Sequence, residues 1–180
     1  MVLQIVRGEP RDANLIADLG RRTYCAHFES VWSPTHLETY LAGQFAPDTV
    51  AAELATDQVR YYVARLAAGP PLGYAKVRLD RPVPLERVVA SGATTDERET
   101  GLELEKIYFE PWATGCGYGS ALIEHVTAVA RVARQPCVWL DVLKTNVGGR
   151  RVYERHGFEV VGEGPFRTDL EEIGLWVMRR

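Results

Sequence analysis

Three glycines at spacings of two lie between a predicted strand and a long predicted helix, and their arrangement suits the binding of an anion. The backbone N–H groups of the first turn of a helix have no partners inside the helix, and the helix dipole favours negative charge there. A phosphate or pyrophosphate is therefore the natural ligand, although a tight connection without a ligand has the same spacing. The segment reads Thr114, Gly115, Cys116, Gly117, Tyr118, Gly119 and Ser120.

Two well-known phosphate loops do not fit this segment. A P-loop places Gly-Lys and then Ser or Thr at the start of the helix, and no lysine follows these glycines. A dinucleotide fingerprint needs the spacing Gly-x-Gly-x-x-Gly after the first strand and an acid about 20 residues further on. The acid near that distance, Asp141, lies at the end of a predicted buried strand instead.

A tyrosine and a glutamate near the glycines could move protons. Tyr153 lies in a predicted helix, and a phenol with a pKa near 10 keeps its proton at neutral pH, so it can act as an acid or simply belong to the core. Glu105 lies in the preceding strand, where its carboxylate could accept a proton or form a surface salt bridge. Strand alternation predicts that Glu105 and Ile107 share one face of the sheet, with Leu104 and Lys106 on the other.

Residues far from the glycines could recognise a cationic substrate. His27 and Glu29, at the end of the first predicted helix, are candidates for lining a substrate pocket, although a lone histidine there is commonly structural. Residues 94–110 carry six acidic against two basic side chains, a net charge of −4, which would attract a cationic ligand. Residues 144–155 carry a net charge of +3, and guanidinium groups such as theirs suit phosphate recognition.

The elements that position these groups follow from hydrophobic spacing and turn signals. Strands are predicted over 2–6, 59–66, 72–79, 102–109, 137–142, 158–162 and 174–178. Helices are predicted over about 11–28, from Pro34, and over 47–55, 118–133 and 146–156, with a long surface loop over 80–100. Strands and helices alternate over 102–162, which requires parallel pairing, whereas 59–79 is typical of a hairpin, so the sheet should be mixed.

Composition excludes several classes of protein. The chain has 180 residues, a net charge of −3 and 46% hydrophobic residues, which indicates a globular protein and gives no reason to expect nucleic acid or an anionic membrane as partner. No apolar run approaches the roughly 20 residues of a membrane-spanning helix, and no signal peptide is evident. Cys25, Cys116 and Cys137 form no Cys-x-x-Cys pair, so no disulfide or metal site is indicated and a cytoplasmic location is expected.

Four blocks of sequence, taken in order, resemble the acyl-CoA-binding core of the GCN5-related N-acetyltransferases (GNAT). They are Leu104–Pro111, Gly115–Leu122, Trp139–Val142 followed by Asn146, and Arg151–Phe158. The segment 22–28, the predicted helices up to Leu54 and the segment 164–178 resemble more loosely the PaiA-like branch of that family, which is known for polyamine acetylation.

The resemblance implies an α/β (α+β) fold, with residues 1–180 as a single domain. A mixed central sheet of about seven strands would carry helices on both faces, and a splayed pair of strands would open the acyl-CoA cleft. The strand Glu105–Phe109, which includes Tyr108, would pair with the pantetheine arm through the backbones of Ile107 and Phe109. The pyrophosphate would lie on the amides of Gly115–Ser120, and the thioester carbonyl would end near the N–H of Ile107.

The resemblance also implies roles for single residues. Tyr153 would protonate the leaving thiolate, Asn146 would contact the pantetheine, and Glu105 would take a proton from the amine, directly or through water. Thr114 stands where the family has Arg or Gln, which predicts weaker affinity for CoA. Gly149, next to Gly148, stands where the family has Ala, which predicts a loose first turn of the helix because each glycine costs roughly 1 kcal/mol there.

The function implied is transfer of the acetyl group of acetyl-CoA, as co-substrate, to a primary amine by direct attack. A small polyamine-like or other cationic metabolite is the expected acceptor, with His27, Glu29 and Glu105 lining its pocket. Acetylation of protein N-termini or lysines is an alternative, and so is a non-catalytic acyl-CoA sensor. No metal, nucleic acid or membrane partner is expected, and the protein would be a monomer or a homodimer.

Overall fold

The computed structural model describes residues 2–67, 69–84 and 99–180, which form a sheet with the strand order β1-β2-β3-β4-β5-β7-β6. The strands are β1 (Leu3–Arg7), β2 (Val59–Leu66), β3 (Pro71–Pro82), β4 (Thr100–Phe109), β5 (Val138–Leu143), β6 (Glu159–Arg167) and β7 (Glu172–Arg179). The helices are α1 (Ala13–Phe28), α2 (Pro34–Gln44), α3 (Pro47–Leu54), α4 (Tyr118–Val132) and α5 (Val147–Arg155). The predicted seven-stranded mixed sheet is confirmed.

Pairing in the sheet is antiparallel except at its centre. β1 to β4 pair as consecutive antiparallel neighbours, β4 and β5 are parallel, and β7 pairs antiparallel with both β5 and β6. β7 therefore lies between β5 and β6, so the alternation over 102–162 gives one direct parallel pair rather than two.

The parallel pair separates after two residues. Leu102 lies opposite Val138 and Glu103 opposite Trp139, and no further pair joins the two strands in the described part of the chain. From Leu104 onward the edge of β4 that faces β5 is open. The predicted splayed strands are confirmed, and they open a cleft through the sheet.

Each face of the sheet carries its own hydrophobic core. On one face, here called the α4 face, α4 and α5 bury Leu122, Val126 and Tyr153 against the strands. On the other, the α1 face, α1 to α3 bury Ile16 and Phe45. Helix spacing explains both, because apolar residues three or four positions apart fall on the side of a helix that meets the sheet.

A β-bulge in β4 overturns the predicted alternation. Lys76 of β3 lies opposite Lys106, and Val77 lies opposite Leu104, so Glu105 is an extra residue in β4. Lys106 consequently joins Glu105 on the α1 face, where it bonds Gln44, and Ile107 joins Leu104 on the α4 face. The expectation that Glu105 and Ile107 share a face is wrong because alternation assumes an unbroken ladder.

Several boundaries also differ from the prediction. β3 continues to Pro82 and β4 begins at Thr100, so both ends of the segment predicted as a loop over 80–100 belong to strands, and residues 85–98 lie outside the described residues. Its acidic members Asp96 and Glu97 lie outside the described residues. Among the residues that are described, no helix is both long and apolar enough to span a bilayer.

Candidate active site

The splay between β4 and β5 opens a cleft of about 1050 Å³ that is lined from both faces of the sheet. It brings together residues predicted for the site, namely His27, Glu105, Ile107, Tyr108, Phe109, Thr114, Gly115, Gly117, Gly119, Ser120, Asn146 and Tyr153. Of the described residues predicted for the site, Glu29, Cys116 and Tyr118 lie outside this lining.

The open edge of β4 presents backbone groups to the cleft. The N–H of Glu110 donates to the carbonyl of Leu72, at 2.8 Å, so it faces β3. Because N–H and C=O groups alternate in direction along a strand, those of Ile107 and Phe109 point to the opposite edge, into the cleft. The carbonyl of Phe109 accepts a hydrogen bond from Nε2 of His27, at 2.9 Å. An extended ligand could therefore pair with β4 as an additional strand would.

The glycine segment shapes the start of α4. Gly115 and Gly117 have φ angles of +76° and +81°, which other residues rarely adopt, and Gly117 is the N-cap of the helix without a side-chain cap. The amides of the first three helical residues, Tyr118 to Ser120, have no partner within the helix. The hydroxyl of Thr114 donates to the carbonyl of Pro111, at 2.7 Å, and brings no charge. This end of the cleft suits an anion.

Two members of the glycine segment, Cys116 and Tyr118, are not part of the cleft lining. Cys116 is exposed, and its Sγ lies 3.6 Å from the carbonyl of Thr114. The ring of Tyr118 packs beside that of Phe109, with centroids 6.5 Å apart. Both residues are predicted to bind the cofactor through their backbone amides, and that prediction does not depend on where their side chains lie.

The first turn of α5 is held by Asn146. This residue is the N-cap of α5, and its Oδ1 accepts a hydrogen bond from the N–H of Gly149, at 2.8 Å. A Cβ on Gly149 would lie 2.6 Å from Nδ2 of Asn146, whereas a Cβ on Gly148 would meet open space. Asn146 therefore secures the turn that the two glycines were expected to loosen, and Gly149 leaves room for it.

Tyr153 faces the cleft from the α4 face. Only 9% of the residue is exposed, and its ring packs against Phe158 with centroids 5.9 Å apart. Burial raises the pKa of Tyr153 above its ordinary value. The phenol thus keeps its proton at neutral pH, and its O–H can donate a hydrogen bond to a sulfur on which negative charge develops.

Glu105 is enclosed by cations on the α1 face. Its carboxylate lies 2.9 Å from Nζ of Lys76 and also pairs with Arg78 and Lys106. Glu53 joins the cluster, with Lys76 at 2.6 Å and Arg78 at 2.8 Å. The two lysines are almost fully buried, at 2% and 6% exposure, so each depends on these carboxylates for its charge.

The cluster sets the protonation of its members. Burial would raise the pKa of Glu105, but the ammonium groups of Lys106 and Lys76 and the hydrogen bond from Arg78 outweigh it and lower the pKa to about 2. Burial lowers the pKa of Lys106. Glu105 is therefore ionised across the neutral range and is a weak proton acceptor.

The acidic segment is neutralised as far as it is described. Glu99, Glu103 and Glu110 pair with arginines, namely Arg179 at 2.6 Å, Arg81 at 3.2 Å and Arg22 at 2.9 Å. Burial raises the pKa of Glu103. Together with the cations around Glu105, these pairs contradict the expectation that the described part of the segment offers free acids to an amine.

Aromatic rings form the wall of the cleft on the α1 face. We call this set the aromatic wall: Tyr24, Phe28, Tyr40, Tyr108 and Phe166. The rings of Tyr24 and Phe28 stack at 4.7 Å, and those of Phe28 and Tyr108 meet edge to face at 5.5 Å. Sequence reasoning missed most of this wall, although Tyr24 and Phe28 at a spacing of four mark one helix face.

A family model agrees with the fold and the cleft. The acetyltransferase (GNAT) family model matches residues 22–158, most of the chain, including β4, the glycine segment and Tyr153. The chain belongs to the GNAT acetyltransferase family. This membership confirms the predicted family and the predicted enzyme class, an acetyl-CoA-dependent N-acetyltransferase.

Individual relatives of this GNAT protein have low sequence identity to it. An uncharacterised N-acetyltransferase from the pepI 3′ region of Lactobacillus delbrueckii subsp. lactis is 24% identical over 165 residues, which cover 91% of this chain and 88% of that one. The PaiA N-acetyltransferase of Thermoplasma acidophilum, solved with coenzyme A, has a TM-score of 0.72 at 16% identity, covering 100% and 99% of the two chains. YncA of Salmonella typhimurium, a putative acetyltransferase solved with acetyl-CoA, has a TM-score of 0.64 at 17% identity, covering 100% and 94%.

Proposed function

We propose that this GNAT protein transfers the acetyl group of acetyl-CoA to the primary amine of a small molecule by direct attack. One observation carries the proposal: a single cleft joins the open edge of β4, the uncapped N-terminus of α4 and the protonated phenol of Tyr153. These are a site for an extended chain, a site for an anion and a proton donor.

The described residues fit coenzyme A. The amides at the start of α4 suit a diphosphate. The N–H and C=O of Ile107 and the N–H of Phe109 suit the amides of a pantetheine arm, while the carbonyl of Phe109 already accepts a hydrogen bond from His27. Arg155 lines the same cleft at an exposed position and offers the positive charge that Thr114 lacks. Relatives of the same fold, PaiA and YncA, were solved with coenzyme A and acetyl-CoA, which supports the proposal. Bound acetyl-CoA would supply the thioester that the amine attacks.

Ile107 and Tyr153 supply the polar groups for the reaction. The N–H of Ile107 points into the cleft, where it can donate to a carbonyl oxygen as negative charge develops. Tyr153 would transfer its proton to the sulfur as the C–S bond of the thioester breaks, which is general acid catalysis, and the phenolate would regain a proton from water.

Glu105 serves as a positioning residue in this proposal, not as the base. Its low pKa and its three cationic partners leave it little tendency to take a proton. Three cations face two carboxylates in the cluster, and such an excess of positive charge lowers the pKa of an amine bound nearby. The amine thus becomes neutral in the cleft, and its proton leaves through water.

The test is release of free thiol from acetyl-CoA in the presence of a panel of amines, together with thermal unfolding in the presence of CoA. The panel contains a polyamine, which is the acceptor implied by the PaiA-like resemblance, simple monoamines, and peptides with free lysine or N-terminal amines. We expect CoA to raise the melting temperature and at least one small amine to release thiol.

Each other result contradicts the proposal in a distinct way. Binding of CoA without thiol release from any amine would indicate an acyl-CoA sensor. Release with peptides alone would indicate a protein acetyltransferase. No rise in melting temperature with CoA would exclude the cofactor, and with it the proposed reaction.

A further inference from the structure

We infer that the acceptor is a monoamine with a flat, aromatic body that packs against the aromatic wall, and not a polyamine. The inference rests on the proposed function, because it names the amine that would enter the same cleft. Three independent features carry it: the half-buried rings that line the cleft, the carboxylates that are already paired with cations, and the contacts that close one side of the cleft.

The aromatic wall offers ring surface to a ligand. Phe28, Tyr40, Tyr108 and Phe166 are each half-buried and line the cleft. Tyr24 lies behind them and stacks on Tyr40 with centroids 4.6 Å apart. Rings that are fixed in this way prefer a partner ring in offset or edge-to-face contact. A flat apolar body therefore fills this wall better than a flexible chain with several charges.

The charges on this side of the cleft disfavour a second ammonium group. A polyamine needs free carboxylates, but Glu105 is held by three cations and Glu103 by Arg81. Asp141, the other described acid of the lining, is not free either. The buried lysines Lys76 and Lys106 add positive charge beneath the wall. A second ammonium would lose its water and gain no partner.

The cleft is closed on this side, which favours a small molecule over a protein tail. Phe166 of β6 meets Trp32 edge to face, with centroids 6.0 Å apart, so the β6–β7 hairpin reaches the segment before α2. Asp169 at the hairpin turn accepts a hydrogen bond from the N–H of Ser33, at 3.2 Å, and lies 3.1 Å from Nδ1 of His36. These contacts join α2 to the hairpin behind the aromatic wall.

Three probe amines test the inference: 2-phenylethylamine, hexylamine and spermidine. The first two have similar length and one charge each, so their difference isolates the ring, and spermidine isolates the additional charges. We expect kcat/KM for thiol release to be at least about tenfold higher for 2-phenylethylamine than for either of the others. Calorimetric titration of each amine into the protein saturated with CoA gives a readout that does not depend on turnover, and the same order is expected for Kd.

Variants assign the preference to the wall. Phe28→Leu and, separately, Phe166→Leu keep apolar volume but remove a ring. Each should raise KM for 2-phenylethylamine about tenfold and change KM for hexylamine less than about twofold, with Kd for CoA unchanged. Val132→Ser, at an exposed position of α4 outside the cleft, is the control for surface substitution. Two ring positions are used so that a folding defect in one variant leaves the other as the test.

Failure of the inference differs from failure of the proposed function. Preferred turnover of spermidine would overturn the inference while the transferase activity stands. Equal kcat/KM for hexylamine and 2-phenylethylamine would also overturn it, since the ring would then contribute nothing. No thiol release with any amine would contradict the proposed function itself. Loss of the preference in either ring variant supports the inference.

Discussion

Tyr153 is the residue whose chemistry depends most directly on its surroundings. Its phenol lies in the cleft against a hydrophobic core, and burial raises its pKa, so it arrives at the reaction protonated. Removal of the hydroxyl leaves the ring contact with Phe158 in place, so the fold should be little affected.

We therefore expect Tyr153→Phe to lower kcat at least about 100-fold, because the leaving thiolate loses its proton donor. Kd for CoA should stay within about twofold of the wild-type value, since the ring remains. Steady-state thiol release and calorimetric binding measure the two quantities. Tyr62→Phe is the matched control, because Tyr62 is buried in the same core but lies outside the cleft. An unchanged kcat in Tyr153→Phe would remove this residue from the mechanism.

The ion pairs of Glu105 should make the free energy of unfolding depend on pH in a defined direction. Its pKa is lowered from 4.5 to about 2 in the folded protein, so its stabilising effect is complete above pH 4.5 and is lost as the pH falls towards 2. Glu105→Gln should reduce the free energy of unfolding at pH 7 by about 3 kcal/mol, because three cations then face one carboxylate. The deficit should shrink as the pH is lowered through this range. Urea denaturation at a series of pH values measures it.

The control for Glu105→Gln removes one cation as well. Adding Lys106→Met should recover part of the lost stability, since Lys106 is almost fully buried and its charge depends on Glu105. Equal stability of Glu105→Gln and the wild type at pH 7 would contradict the charge cluster. The same variant tests the proposed role in catalysis: the pH dependence of kcat/KM should keep its shape, because the titrating group is the amine.

The sequence predicted the groups near the glycines better than those on the α1 face. Tyr153, Ile107 and the glycines belong to motifs of short range, so their spacing places them. Lys76 and Glu53 come from elements that meet β4 only in three dimensions. One signal was present: charged residues inside a predicted strand indicate a partner on the neighbouring strand.

At the scale of elements, α5 depends on two glycines with opposite surroundings. Gly148→Ala places a methyl group in open space and should raise the free energy of unfolding by about 0.5–1 kcal/mol, since alanine favours the helix. Gly149→Ala pushes a methyl group against the amide of Asn146 and should cancel that gain by displacing the cap. Thermal unfolding of both variants measures the difference, and each serves as the control of the other.

CoA affinity gives α5 a second readout. Gly149→Ala should raise Kd for CoA, because Asn146 lines the cleft and its side chain must move. An equal stability gain in both variants, with no change in Kd, would show that the cap hydrogen bond contributes nothing.

The sequence predicts which segments form helices and strands, but it predicts less well which of these segments contact each other. The apolar spacing of α4 and the glycine before it are local signals, and this helix lies close to its predicted bounds. The bulge at Glu105 and the insertion of β7 between β5 and β6 depend on pairing between distant segments. Alternation and chain order alone carry no information about either.

At the scale of the whole molecule, the net charge of −3 hides an arrangement of paired charges. Acids of the 94–110 segment were expected to attract a cationic amine, but Glu99 and Glu110 each pair with an arginine distant in sequence, Arg179 and Arg22. These arginines tie β4 and its flanks to β7 and α1. The composition of the segment correctly predicts a surplus of acidic residues. It does not predict that these residues form ion pairs, because their partners lie far away in the sequence.

The cleft crosses the sheet, so its two ends can be perturbed separately. A substitution of Asp169 should affect the end on the α1 face alone. Its carboxylate joins the β6–β7 turn to the start of α2 through Ser33 and His36. The hydrogen bond from Ser33 lowers the pKa of Asp169, so the contact is present at pH above 3.8 and is lost as the pH falls below that value. Asp169→Ala should therefore loosen the hairpin that carries Phe166 at every pH near neutrality.

We expect Asp169→Ala to raise KM for the amine about threefold to tenfold and to leave Kd for CoA unchanged, because the hairpin closes only the α1 side of the cleft. Glu171→Ala is the matched control: it removes the same charge from the same turn, and its side chain has no partner among the described residues. Equal effects on amine and CoA would mean that the hairpin supports the whole fold. An effect of Glu171→Ala as large as that of Asp169→Ala would mean that the charge of the turn acts, and not the contact with α2.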